Sequence, residues 1–197
     1  MTTAIGTQSG WRVVDIVVAA VLAVAFGVVF QAWNLVWEAV QPAFVAFRPL
    51  QGVVYGVWLI PAVLVPLIVR RPGAALLGEA VAASVSALLG SQWGLLTVVY
   101  GLMQGGAAEL VFAFTLYRSW NVPVAIVAGA AAGAAAALLD VAMFYPDWDA
   151  TWQLAYGVLV VISSAVIAGL GSWLLVRALA PTGVLSAFAA GREQQEV

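Results

Sequence analysis

Residues 51–79 read QGVVYGVWLIPAVLVPLIVRRPGAALLGE. The first 19 of these, 51–69, carry no charge and are mostly apolar, and they stop at Arg70-Arg71-Pro72-Gly73. Roughly 20 apolar residues in a helix cross about 30 Å of hydrocarbon. Two charges, a proline and a glycine then end the run. Directly afterwards the chain turns apolar again, with Glu79 inside the new run. The stretch therefore reads as a membrane helix, a tight polar turn, and the start of a second helix that carries an acid into the membrane.

The same ruler, moved outward, finds six segments at approximately 11–34, 51–69, 74–90, 95–117, 122–144 and 152–176. They are separated at Gln41-Pro42 and Arg48-Pro49, at 70–73, at Gly90-Ser91-Gln92, at Arg118-Ser119-Trp120-Asn121 and at Tyr145-Pro146-Asp147-Trp148-Asp149. The apolar core of the first segment continues through Phe30, longer than a signal-peptide core, so it reads as a retained helix despite Ala23-Val24-Ala25. The expected fold is all-α: a polytopic membrane protein, a six-transmembrane-helix bundle forming a single membrane domain over 1–197. The longest loop, about 34–50, is expected outside, and 181–197 as a frayed cytoplasmic tail. Arg12, Arg70, Arg71, Arg118, Arg177 and Arg192 fall on one side of such a chain and only Arg48 on the other. The positive-inside rule then places both termini in the cytoplasm. Trp33, Trp37, Trp93, Trp148 and Trp152 sit near the outer boundary, as an aromatic belt does.

Composition excludes most other functions. Of 197 residues 64% are hydrophobic and 8% charged, and the mean hydropathy is +1.06. With seven Arg, no Lys and a net charge of −2, the chain offers no basic surface for nucleic acid. Without Cys or His it has no disulfide, no thiolate nucleophile, no usual metal site and no His-based triad. No catalytic residues, metal or cofactor are assigned. There is also no GxxxxGK[ST] loop for hydrolysing ATP.

Acids inside the membrane are costly unless paired, protonated or facing water, so Glu79, Glu109 and Asp140 are informative. Glu79 lies eight residues after Arg71 and Glu109 nine before Arg118. Both are thus about 12–14 Å from the arginine side. Trp93, Tyr100 and Gln104 share one helical stripe, at offsets of seven and eleven. Glu109 is turned about 140° from Gln104, so the two should not share one cavity wall. Tyr55 with Trp58, and Asn34 with Glu38, pair along their helices. The candidate ligand-binding set is Asn34, Tyr55, Trp58, Glu79, Trp93, Tyr100, Gln104, Glu109 and Asp140. Rings, amides and carboxylates without metal ligands suit a small, flat, polar, cationic organic molecule.

Small residues repeat every four positions at Ala19, Ala23 and Gly27 and at Gly129, Gly133 and Ala137. Such stripes let helices pack closely in lipid. Each either holds this bundle together or faces out toward another membrane protein.

Arg70-Arg71-Pro72-Gly73-Ala74-Ala75-Leu76-Leu77-Gly78-Glu79, with Leu88-Leu89-Gly90, resembles the third-helix signature of YkoE-type proteins. Gln104-Gly105-Gly106-Ala107-Ala108-Glu109-Leu110-Val111-Phe112 is similar to the family's QGxxAExxF. Tyr55-Gly56-Val57-Trp58 and Thr182-Gly183-Val184-Leu185 also match, so the resemblance covers nearly the whole chain. YkoE-type proteins are substrate-binding S components of energy-coupling-factor transporters. The resemblance implies capture of thiamine, or of its hydroxymethylpyrimidine precursor, from outside a bacterial cell membrane. It implies delivery through a transmembrane T component and cytoplasmic or fused ATPases. It also raises Ala19, Ala23 and Gly27 as a partner-docking stripe. The alternatives are a membrane enzyme or enzyme subunit without a transport role, and a structural or assembly subunit with no ligand.

Overall fold

The computed structural model describes residues 10–192. Among them are helices and turns and no strand. Helix α1 runs Val13–Val40, and a 3-10 helix, Arg48–Leu59, leads without a break into α2, Ile60–Val69. Helices α3 (Ala74–Leu88), α4 (Leu96–Phe114) and α5 (Val122–Met143) follow. The last long helix is composite: α6 (Ala150–Ser164), a π-helical stretch Ala165–Gly171, and α7 (Ser172–Leu179). A short turn, α8 (Ala189–Arg192), closes the described chain.

Among the described residues, five runs are long and apolar enough to cross a membrane: Val13–Phe44, Arg48–Val69, Leu96–Phe114, Val122–Met143 and Ala150–Thr182. Helix α3 is apolar but has 15 residues, about 22 Å at 1.5 Å per residue. It falls short of the segment expected at 74–90. Helix α1, in contrast, continues past Asn34 to Val40, because Leu35-Val36-Trp37-Glu38-Ala39-Val40 contains neither Gly nor Pro to stop it. The loop expected at 34–50 is therefore mostly helical. Its Pro42 opens a 3-10 turn, Gln41–Phe44.

Helix boundaries follow local chemistry. Asn121 accepts from Val124 N and Asp149 from Thr151 and Trp152 N, so each caps the helix after it. Arg70 ends α2 in a left-handed conformation (φ 52°), and Gly73 (φ 85°) opens α3 in a conformation that other residues adopt at a cost.

The segment Arg48–Val69 is the centre of the bundle. Of its apolar window 72% is buried, against 28–39% in the other four runs. Around it, α1 packs on α3, α3 on α4, α4 on α5, and α5 on the composite last helix. Both small-residue stripes lie inside. Ala19 and Ala23 are fully buried, and a Cβ added at Gly27 would collide with Val85 of α3. Ala19, Ala23 and Gly27 thus lie on the inner face of α1, with Gly27 close against α3. At Gly129 an added Cβ would meet Ser164 O at 2.5 Å, so this stripe seats the last helix.

The central segment is tied to the last helix by one hydroxyl. Ser163 Oγ accepts from Gly56 N at 3.0 Å and donates to Val53 O at 2.7 Å. It stands within the 3-10 hydrogen-bond ladder between a carbonyl and the amide three residues on.

The arginine-rich end is closed by polar contacts. Asp15, fully buried, pairs with Arg12 (2.6 Å) and Arg71 (2.8 Å). Trp11 Nε1 donates to Pro72 O at 3.0 Å, and the Arg12 guanidinium donates to Ala187 O at 3.3 Å. The segment after Pro181 is docked rather than frayed as far as Arg192, because Leu185 and Phe188 are buried in the core cluster. The rest of the expected tail, 193–197, lies outside the described residues.

Candidate binding site

Away from the arginine cluster, the helices line a cavity of about 320 Å³. That is the size of a small-ligand site. Its walls follow from helical spacing. Phe30, Asn34 and Trp37 come from successive turns of α1; Glu79, Ala83 and Ser86 form one stripe of α3; Thr97, Tyr100 and Gln104 form one stripe of α4. The 3-10 helix supplies Tyr55 and Trp58, and Trp93 stands in the turn before α4. Asp140, Phe144, Tyr145 and Tyr156 close the far side.

The aromatic part is built around Trp58. Its ring meets Trp37, Tyr55 and Trp93 edge to face, with centroids 5.2, 5.3 and 5.8 Å apart. Its Nε1 donates to Asn34 Oδ1 at 3.0 Å, which fixes the indole and orients the amide. Gln104 Nε2 lies 3.5 Å from the Tyr55 hydroxyl.

Two carboxylates face this chamber and differ in how they are satisfied. Asp140 accepts from the Tyr100 hydroxyl at 2.7 Å and from the Tyr156 hydroxyl, so each oxygen has a phenol partner. Glu79 is 1% exposed; its Oε2 accepts from Ala62 N at 2.9 Å, a first-turn donor of α2 that the helix itself leaves open. Its Oε1 is buried and has no partner among the described residues. A buried acceptor left in this way has a cost that a ligand donor would remove. At the rim, Gln51 Nε2 donates to the Tyr145 hydroxyl at 2.8 Å. Burial, with the Asp140 charge beside it, pushes the Tyr145 phenol up to about 12, so it stays neutral.

Asn34, Tyr55, Trp58, Glu79, Trp93, Tyr100, Gln104 and Asp140 all line the cavity. Glu109 does not. It accepts from Gly73 N (2.6 Å), Ala75 N (2.9 Å) and the Tyr117 hydroxyl (2.8 Å). It is the cap of α3, where orphan backbone donors and the helix dipole favour an anion. Burial and this hydrogen bond push the Tyr117 phenol up to about 12. Glu38 is exposed. Sequence reasoning missed Phe30, Trp37, Ser86, Thr97 and Tyr156. Four of these stand a helical step from a residue already chosen: Phe30 and Trp37 flank Asn34, Ser86 follows Glu79 by seven, and Thr97 precedes Gln104 by seven. Tyr156 had no such neighbour to mark it.

Fold and cavity together define a helical membrane protein with a partly open cavity of ligand size. Its relatives make the class specific. The family described as "ABC-type cobalt transport system, permease component" matches over residues 14–135. The "Putative HMP/thiamine permease protein YkoE" of Bacillus subtilis (strain 168) is 34% identical over 189 residues, 94% of this chain and 93% of that one. A solved structure, "Crystal structure of an S-component of ECF transporter", superposes with a TM-score of 0.89 at 33% identity, covering 95% of this chain and 94% of that chain. The chain belongs to the YkoE-type S components of energy-coupling-factor transporters. Its relatives are transport components and not enzymes, which sets aside the membrane-enzyme alternative.

Proposed function

We propose that this chain captures thiamine or hydroxymethylpyrimidine in the Glu79 cavity, for import by a complex with a T component and ATPases. The observation that carries the reading is the unpartnered Glu79 Oε1 inside an aromatic chamber. An aminopyrimidine presents N–H donors on a flat ring, which suits a carboxylate flanked by aromatic edges. A thiazolium cation suits aromatic faces and the Asp140 charge. The name of the Bacillus subtilis relative points to the same pair of molecules.

The family description names cobalt instead. The donor set favours an organic ligand: the chain has no Cys or His. Among the described residues no three Asp or Glu side chains cluster as metal ligands do.

In this reading the end bearing six of the seven arginines faces the cytoplasm of a bacterial cell. Both termini are then inside, α3 counts as the sixth crossing, and the cavity takes its ligand from outside. Equilibrium binding to detergent-purified protein tests the ligand, followed by tryptophan fluorescence because Trp37, Trp58 and Trp93 line the cavity. Saturable one-to-one binding of thiamine or hydroxymethylpyrimidine is expected, weakened in Glu79→Gln. No signal from either at high micromolar concentration, or a response to Co²⁺ alone, would overturn the reading.

A further inference from the structure

The segment that carries Tyr55 and Trp58 into the cavity is wound as a 3-10 helix for 12 residues, Arg48–Leu59. Such runs are uncommon beyond three or four residues. The winding decides what the two rings face. At 3.0 residues per turn, side chains three apart stand one above the other, so positions 52, 55 and 58 form a single row. Tyr55 and Trp58 accordingly both line the cavity, with ring centroids 5.3 Å apart. At the 3.6 residues per turn of an α-helix, Trp58 would be turned about 60° relative to Tyr55. Its Nε1, now 3.0 Å from Asn34 Oδ1, would then be re-aimed.

Ser163 of α6 meets this helix on another face. Its Oγ accepts from Gly56 N at 3.0 Å and donates to Val53 O at 2.7 Å. A carbonyl and the amide three residues on are the two groups that a 3-10 turn joins and an α-turn does not. Trp33 Nε1 also reaches this backbone, donating to Val54 O at 3.1 Å, whereas Ser163 engages both a carbonyl and an amide. The approach is close: a Cβ at Gly56 would meet Ser163 O at 2.5 Å, and one at Gly52 would meet Tyr156 O at 3.1 Å. The next hydroxyl, Ser164 Oγ, turns instead to Val160 O of its own helix at 2.7 Å. We infer that Ser163 is a positioning residue of the cavity: its hydroxyl holds residues 53–56 in 3-10 register and thereby sets Tyr55 and Trp58 toward the ligand. For affinity this deepens, and rests on, the binding role proposed above; the orientation of the indole does not depend on that role.

Fluorine NMR of the full chain in detergent, labelled with fluorotryptophan, tests this, with the Trp58 resonance assigned by its loss in Trp58→Phe. In Ser163→Ala that resonance should shift, while those of Trp120 and Trp173, beside Arg70 and Arg177, stay in place. Affinity of the folded protein for thiamine or hydroxymethylpyrimidine, whichever the parent binds, should fall about five- to tenfold. Ser164→Ala should leave the resonance in place and affinity within about twofold, because the bond it removes stays inside its own helix. A role in general packing of the last helix would move both variants alike. If Ser163→Ala is poorly produced, Ser163→Cys, whose thiol is a weak donor and acceptor, should shift the same resonance and weaken binding several-fold. If the parent binds neither molecule, the proposed function fails and the resonance alone decides on Ser163. An unmoved Trp58 resonance in the Ser163 variant, or the same shift and loss in Ser164→Ala, would overturn the inference.

Discussion

Glu79 and Glu109, expected at similar depth, reach opposite ways: Glu79 to Ala62 N at the start of α2, Glu109 to Gly73 N beside the arginine turn. Glu79 projects from the short helix α3 toward α2, and Glu109 reaches the first turn of α3 from the neighbouring α4. Glu109 has both oxygens engaged, by two amides at the start of α3 and by Tyr117. Glu79 has one oxygen engaged, by Ala62 N, and one buried without a partner at the cavity wall. A place in an apolar run marks a carboxylate as costly. Hydrogen-bond accounting decides whether the fold or a ligand offsets that cost.

The contrast can be broken most forcefully at Glu109. Glu109→Ala removes charge-assisted hydrogen bonds and leaves Gly73 and Ala75 N without their acceptor. It should destabilise the protein by about 3 kcal/mol, measured by unfolding in mixed micelles. The fraction that remains folded should bind ligand within about twofold of the parent. A large loss of affinity with unchanged stability would show that Glu109 belongs to the ligand site after all.

Glu79→Gln should do the reverse. The amide oxygen can still accept from Ala62 N, but an N–H₂ group then replaces the open acceptor. Affinity for an aminopyrimidine ligand should fall by about 10- to 100-fold, one charge-assisted hydrogen bond. Unfolding should change by less than about 1 kcal/mol, because no partner of Oε1 is lost. Wild-type affinity in calorimetry would refute the role assigned to this side chain.

Trp58→Phe sharpens the ligand half of the comparison. It keeps a ring but removes the donor that holds Asn34. A loss of about one neutral hydrogen bond, roughly 1 kcal/mol, predicts about fivefold weaker binding by fluorescence titration. The smallest effect belongs to Tyr117→Phe, which removes one of Glu109's partners and nothing from the cavity. Stability should drop by about 0.5–1.5 kcal/mol, with ligand affinity unchanged.

Much of the architecture was legible because charge, Pro and Gly coincide with apolar run lengths. The turn at Arg70–Gly73 and the caps at Asn121 and Asp149 are local chemistry written in consecutive residues. The end of α1 was not legible from the polar residue Asn34, since an amide ends a helix only if it turns back on the backbone. Here Asn34 bonds to Trp58 instead. The 3-10 and π stretches left no periodicity to read. The 3-10 stretch is met by Ser163, which is distant in sequence. For the cavity, types and stripes were enough to place Asn34, Glu79 and Gln104. The 140° between Gln104 and Glu109 already separated those two walls, and the structure gives Glu109 its own task. Asp15 was overlooked because it sits near the start of the first segment. Only the fold brings Arg71 to it.

The burial of the central segment has a consequence for how the chain tolerates change. Along α1 the buried positions recur at Asp15, Ala19, Ala23, Gly27, Phe30 and Asn34, so substitutions there should matter on one face and pass unnoticed on the other. From Pro61 to Val69 every side chain is buried. A mutational scan of those nine positions should show no helical rhythm at all. This most lipid-soluble piece of the chain behaves as the core of a soluble protein does, held on every side by protein and not by lipid.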